Sequence, residues 1–303
     1  MLAHSVNRAF VREKSSFFTE SHVWPLQTRL DPDGWLRNFQ PDEEELAVHL
    51  LNGFCYFSDR LVDELFAASF LRLSRHVVLP GTPAVAAKAA WAKFFDELVV
   101  TYPTGETPSD ADSGHLFVRR ARDLLGIPEE RIMSPERALE IATTASVSAI
   151  VFVDDFVGSG NQFLTTIQRK YGTASQSFAD LASSLPTCFY IPLFCTSLAV
   201  NNALTFLPKN ISCVPLHVLG DEYSALNAPS VFWPAALASD GPAFVKRVSE
   251  RLCLDDTNGA STTDWQGFAR LGLGIAFEHQ IPDACLPIFY TTQSGWRPLW
   301  RRD

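Results

Sequence analysis

The chain has 303 residues, 47% of them hydrophobic and 19% charged, which makes it a folded globular protein of one elaborated domain or two. A net charge of −9 argues against general electrostatic binding to nucleic acid, which depends on neutralising phosphates with Lys and Arg, and leaves only a local basic patch for that role. Six cysteines at irregular spacings (Cys55, Cys188, Cys195, Cys213, Cys253 and Cys285), with no CxxC pair, read as reduced core thiols. The opening MLAHSVNRAF has no apolar h-region, and the longest apolar run, Cys188 to Val200, is broken by Pro192 and too short for a bilayer. A cytoplasmic location with no membrane anchor is therefore expected.

Residues 1 to about 40 carry aromatics, charges and prolines without periodicity, and are expected to form an irregular arm packed on the body or a partner-binding surface. From Pro41 to Arg75, apolar residues recur at spacings of three and four, with acids in the first turn and Arg at the end, so two or three helices are expected. PAVAAKAAWAKFFDEL supplies another, and the segment 1–96 reads as all-helical after the arm.

At Leu98 the pattern changes. LVVTY reads as a strand, PTGETPSDADSG as a polar loop, and HLFVRRARDLLG as a helix closed by Gly126. Ser134-Pro135 opens a further helix with Ser as N-cap and Pro at the first helical position. AIVFV is a strand, NQFLTTIQRKYG a helix, CFYIPLF and ISCVPLHVL two more strands, and SLAVNNALTFL the helix between them. Strands regularly separated by helices imply a parallel sheet, so 97–220 is an α/β core. The remainder, 221–303, loses this rhythm and reads as an α+β hood, with Asp255 to Asp264 as a mobile surface loop.

The chemistry concentrates at AIVFVDDFVGSGNQ, Ala149 to Gln162. An apolar parallel strand would deliver Asp154 and Asp155 at its carboxyl end, the edge where open α/β sheets bind ligands. Two adjacent carboxylates need hydroxyl donors, a divalent metal or nearby cations. The turn Gly158-Ser159-Gly160-Asn161-Gln162 has the opposite polarity, because glycines let successive N–H groups converge at a helix N-terminus, where a phosphate is favoured. A ligand with hydroxyls at one end and a phosphate at the other would satisfy both halves; an ordinary strand-to-helix turn is the alternative.

This stretch resembles the signature of the type I phosphoribosyltransferases: an apolar run, two acids, two mostly apolar residues, then a small or hydroxyl residue and Gly. The resemblance implies that Asp154 and Asp155 hold the ribose hydroxyls of phosphoribosyl pyrophosphate, that Gly158 to Gln162 wrap its 5′-phosphate, and that Mg²⁺ bridges ribose hydroxyls and pyrophosphate, reached by the two acids directly or through hydroxyls and water. Gln162 departs from the pattern, which usually closes on a second hydroxyl residue. The loop Thr104 to Gly114 stands where such enzymes bind pyrophosphate, with Ser113 and Gly114 offering backbone N–H groups. Arg119, Arg120 and Arg122 on the next helix would add cations, or form a solvated face.

With SDADSGHLFVRRARDLLGIPEERI and the ending GLGIAFEHQIPDACLPIFYTTQSGWRPLW, the chain from about Trp35 onward also resembles the phosphoribosyltransferase-like proteins of bacterial conflict systems, including one class of retrons. That resemblance implies an effector of antiphage defence, beside a winged-helix protein and a reverse transcriptase with its nucleic acid. In the hood, Glu278, His279 and Asp283 are candidates to cap the site, His279 as a general acid or base or as a hydrogen-bonded structural histidine. Trp296 and Arg297 would stack on a base, bind a phosphate or anchor the C-terminus. Three functions stay open: glycosyl transfer at the anomeric carbon of a phosphoribosyl ligand, non-catalytic sensing of a phosphoribosyl compound or nucleotide, or a structural subunit of a defence complex.

Overall fold

A computed structural model describes residues 6–26, 28–105, 114–144, 147–173 and 175–302. In chain order the elements are α1 (Arg8–Glu20), α2 (Pro32–Leu36), α3 (Glu44–Gly53), β1 (Cys55–Phe57), α4 (Asp59–Arg72), α5 (Ser74–Val77), α6 (Ala84–Glu97), β2 (Val99–Thr101), α7 (Gly114–Leu125), α8 (Pro135–Thr144), β3 (Ala149–Val157), α9 (Asn161–Gln168), β4 (Thr187–Thr196), α10 (Ser197–Asn201), β5 (Ile211–Cys213), β6 (His217–Leu219), α11 (Asp240–Arg251) and β7 (Ile275–Phe277). They form two compact units, Met1–Val62 with Gly220–Asp303, and Asp63–Leu219. The stretches 1–96 and 221–303, separate as sequence, thus contribute to a common unit through residues 1–62 and 220–303.

Asp63–Leu219 is the α/β unit. Its sheet runs β2-β3-β4-β5, with β6 also paired to β4, and every pairing is parallel. Ile150, Phe152 and Val153 of β3 are wholly buried, as an apolar strand covered on both faces must be. One core gathers Phe152, Phe163, Phe178 and Tyr190, with the Phe163 and Tyr190 rings stacked 3.8 Å apart. The expected strand ISCVPLHVL is two short ones flanking Pro215. Val214 and Leu216 still donate to Tyr190 and Pro192, so the missing proline N–H falls on the side turned away from β4. The helix over NQFLTTIQRKYG stops at Gln168, where Arg169 turns extended.

The other unit departs further from the reading of its sequence. The expected arm contains α1, capped by the Asn7 side chain on the Phe10 N–H, and α2, capped by Asp31 with Pro32 in its first turn. The segment is not all-helical: Cys55–Phe57 pairs in parallel with Ile275–Phe277. Aromatic, extended Cys-Tyr-Phe suits a strand, and its partner lies too far along the chain for local periodicity to reveal. Trp35 and Trp296 both donate to the Ile288 carbonyl, at 2.8 and 2.9 Å, and Phe39 packs against both rings. The buried Glu43 accepts from Arg251 at 2.8 Å.

Asp255–Asp264, expected to be a mobile loop, is organised by a buried carboxylate. Asp264 accepts the N–H groups of Thr257, Gly259 and Gln266 and the Thr257 hydroxyl. Burial pushes its pKa up, but the bonds from Gly259, Gln266 and Thr257 outweigh that and hold it below the ordinary carboxylate value. A folded-state pKa lowered in this way contributes stability above about pH 4 that is lost as pH falls through it. Asp264→Ala is expected to cost about 1–3 kcal/mol at neutral pH, by leaving backbone donors unmatched. Urea melts from pH 7 to pH 3 check this: the gap between wild type and variant should narrow as acid protonates the wild-type carboxyl.

Candidate functional site

Strand β3 does not end before its acids. It continues to Val157, in register with β4, so Asp154 and Asp155 lie within the strand at 5% and 1% exposure instead of emerging from its end. The cause is β4, ten residues long, which gives β3 a partner as far as Cys195. Opposite Asp154 stands Pro192, whose carbonyl accepts from Leu216, so its missing N–H is turned away from β3 and the pairing of β3 with β4 carries on past the acid.

Asp154 is fully engaged. Its Oδ2 accepts the Tyr190 hydroxyl at 2.7 Å and its Oδ1 the Asp155 N–H at 3.0 Å, while Asp155 Oδ1 accepts the Phe156 N–H at 2.8 Å. Burial, and then the neighbouring Asp155, push the Asp154 pKa well above the usual carboxylate range, against the opposing pull of the Tyr190 donor. Burial and Asp154 likewise push the Tyr190 phenol up, which keeps its proton in this bond. Tyr190 escaped the sequence reading. Its signal is a hydroxyl in an otherwise apolar parallel strand, since a buried hydroxyl needs a partner.

Beyond the strand, the turn folds as its glycines allow. Gly160 is the N-cap residue of α9 with φ +82°, a left-handed conformation natural only to glycine, and a Cβ there would lie 3.0 Å from that of Ala203 and 3.3 Å from that of Ala199. Gly160 has no side chain to cap this N-terminus; the Asn161 N–H donates to Ser159 Oγ at 3.3 Å, and Thr196 Oγ1 donates to the Gly158 carbonyl. Asn161 and Gln162 are exposed. The positive φ and the close alanines thus exclude a capping side chain from the N-cap position of α9, and a helix N-terminus is where an anion is favoured.

The start of the expected pyrophosphate loop is tied to the same helix. Thr166 Oγ1 accepts the Thr104 N–H and lies within donating distance of its carbonyl, both at 3.1 Å, while Arg169 reaches the Thr104 hydroxyl and donates to the Gly105 carbonyl at 2.6 Å. Arg169 was invisible in sequence because its partners lie some 64 residues away. Ser113 is outside the described residues. Gly114 opens α7 pressed on Tyr102, where a Cβ would stand 2.6 Å from the tyrosine Cβ. Of the arginines on α7, Arg120 is buried and pairs with Asp63 at 2.7 Å, so it belongs neither to a solvated face nor to a free cation cluster; Arg122 pairs with Asp123, and Arg119 is exposed.

Glu278, His279 and Asp283 belong to the other unit. Glu278 accepts the Asp59 N–H at 2.7 Å, His279 stacks on Phe277 and Asp283 pairs with Arg302 at 3.0 Å. Trp296 is buried, as a C-terminal anchor is, and the Arg297 N–H donates to Asn38. Among the described residues, no helix is long and apolar enough to cross a membrane, and no three His, Cys, Asp or Glu side chains stand close enough to hold a metal.

Searches of curated proteins and of solved structures returned no match. The family model PRTase-CE matches residues 32–302, nearly the whole chain and both units, and it agrees with the parallel α/β core and the strand–acid–turn–helix order described above. The chain therefore belongs to the PRTase-CE family and is a phosphoribosyltransferase-like protein.

Proposed function

We propose that the protein binds a phosphoribosyl ligand, phosphoribosyl pyrophosphate or a nucleotide, at the β3–α9 turn and acts at its anomeric carbon. The observation that carries this reading is Gly160, whose left-handed backbone and close packing on Ala199 and Ala203 leave the N-cap position of α9 without a capping side chain. The 5′-phosphate would lie on the amides of Gly158 to Gln162. Asp155 would take ribose hydroxyls, and Asp154, already bonded to Tyr190, would hold the strand end in shape. Thr104 and Gly105, anchored by Thr166 and Arg169, would set the start of a pyrophosphate loop.

Glycosyl transfer at that carbon develops an oxocarbenium-like charge, so the work of the chain is to fix the sugar, orient the leaving group and keep water out. Mg²⁺ suits this donor set as an ion that keeps waters and substrate phosphates, since two carboxylates without a third are too few for a protein cage. When bound, it would neutralise charge on the pyrophosphate. The burial of both acids favours a second reading, a non-catalytic sensor, which differs in leaving the ligand intact. The sequence resemblance supports a setting in bacterial antiphage defence, with a winged-helix protein and a reverse transcriptase as partners.

Three measurements test the reading. Gly160→Val, which forces a β-branched side chain into a left-handed turn against Ala203, should abolish calorimetric binding of phosphoribosyl pyrophosphate; Ser159→Ala, far milder to the fold, should weaken it several-fold. Unchanged affinity in both variants would remove the turn from the site, and phosphorus NMR of the wild-type mixture separates turnover from sensing. Arg169→Ala should loosen Thr104 and Gly105, weakening phosphoribosyl pyrophosphate about tenfold while ribose 5-phosphate binds as before, since a hydrogen bond to a charged group is worth about 1.5–3 kcal/mol.

The third concerns Asp154. A carboxyl whose folded-state pKa is raised loses stability as pH climbs from its unfolded value through the folded one. Asp154→Asn removes that loss. The variant should match wild type near pH 4 and exceed it by about 0.5–2 kcal/mol at pH 7, as read from denaturant melts across that range. A variant less stable at every pH would make the acid a structural requirement.

A further inference from the structure

The unit formed by Met1–Val62 and Gly220–Asp303 contains a cleft of about 380 Å³ that the β3–α9 turn does not account for. Its lining includes Arg29, His279, Gln280, Asp283, Trp300 and Arg302. Trp300 is 3% exposed, yet its indole N–H has no acceptor, an arrangement that native structures rarely leave without a reason. The Arg29 guanidinium lies over the Trp300 ring, 5.6 Å from its centre. The Arg302 guanidinium lies 3.8 Å from the centre of the Tyr290 ring and is steadied by Asp283 at 3.0 Å. Two guanidiniums and one carboxylate thus line the cleft.

We propose that this cleft binds the phosphate group of a phosphate ester. Arg29 and Arg302 would supply charge from two directions, and the Trp300 indole and the His279 ring would supply N–H donors. Donors converging from several sides match the oxygens of a tetrahedral phosphate better than the two coplanar oxygens of a carboxylate. At about 380 Å³ the cleft exceeds a bare phosphate and lies within the range of small-molecule sites, which leaves room for the esterified group. The stacking of both guanidiniums on aromatic rings fixes them in advance, so little side-chain entropy is lost on binding. All the lining residues come from this unit, so the proposal stands or falls separately from the reading of the turn.

The indole N–H is its own reporter. The chain has seven tryptophans, and Trp300→Phe identifies the Trp300 resonance in an ¹⁵N-correlated spectrum as the indole peak that disappears. In full-length Gly160→Val protein, which silences the turn, titration with inorganic phosphate should move that peak downfield and saturate in the millimolar range or below. Ribose 5-phosphate should act at lower concentration if the ester group is accommodated, and acetate should have little effect. Arg302→Gln, a substitution at a half-exposed side chain, should leave the peak in place and weaken the phosphate response at least about tenfold, the scale of one charge-assisted bond. A Trp300 peak unmoved by tens of millimolar phosphate, moved equally by acetate, or indifferent to Arg302→Gln would overturn the proposal.

Discussion

The hydrogen bond from Tyr190 to Asp154 is the interaction on which the strand–turn–helix junction of the α/β unit depends. It adds a side-chain link to the backbone pairing of β3 with β4, and the same tyrosine ring stacks on Phe163 of α9. One residue thus fixes the strand, its neighbour and the helix that starts the turn. A polar bond so placed is strong because the surroundings are dry; that same dryness pushes the Asp154 pKa up, and the bond from Tyr190 opposes the shift. From α9 the order passes outward through Thr166 and Arg169 to Thr104 and Gly105, so the beginning of the second loop takes its position from the helix that carries the first.

The other unit is held by contacts between distant parts of the chain. β1 finds its partner strand some 220 residues later, Glu43 finds Arg251, and two tryptophans from opposite ends share one carbonyl of Ile288. A structure closed by such pairings has few local signals. Its strands are three residues long, and its loop at Asp264 owes its order to a single carboxylate that collects backbone donors.

That difference explains what the sequence revealed. The alternation of strands and helices from Leu98 to Leu219 was legible because β3, β4, α7, α8 and α9 are long enough to show their character, and the Ser134-Pro135 and Gly126 boundaries because capping chemistry is local. The aspartate pair, the glycine turn and the helix after it were legible in order. The extension of β3 through its acids was not, since it depends on how far β4 runs beside it. β1 was missed because a parallel partner supplies what its own residues do not announce. Tyr190 and Arg169 were missed because their importance lies in a contact and not in a motif.

Two costs meet around the turn. Asp154 is buried beside a second acid, and the α9 N-terminus is left without a side-chain cap although asparagine or serine at Gly160 would ordinarily provide one. Neither cost is forced by the fold elsewhere: α1 and α2 in the same chain carry Asn and Asp caps in the usual way. The backbone at Gly160 excludes a capping side chain twice, by its positive φ and by the alanines packed against it. Features that oppose stability one by one, yet adjoin each other and present complementary polarity, accord with the binding role proposed for the turn. A phosphate would supply the missing acceptor for the α9 amides and hydroxyls would answer the acids, so one ligand of that shape would offset both costs together.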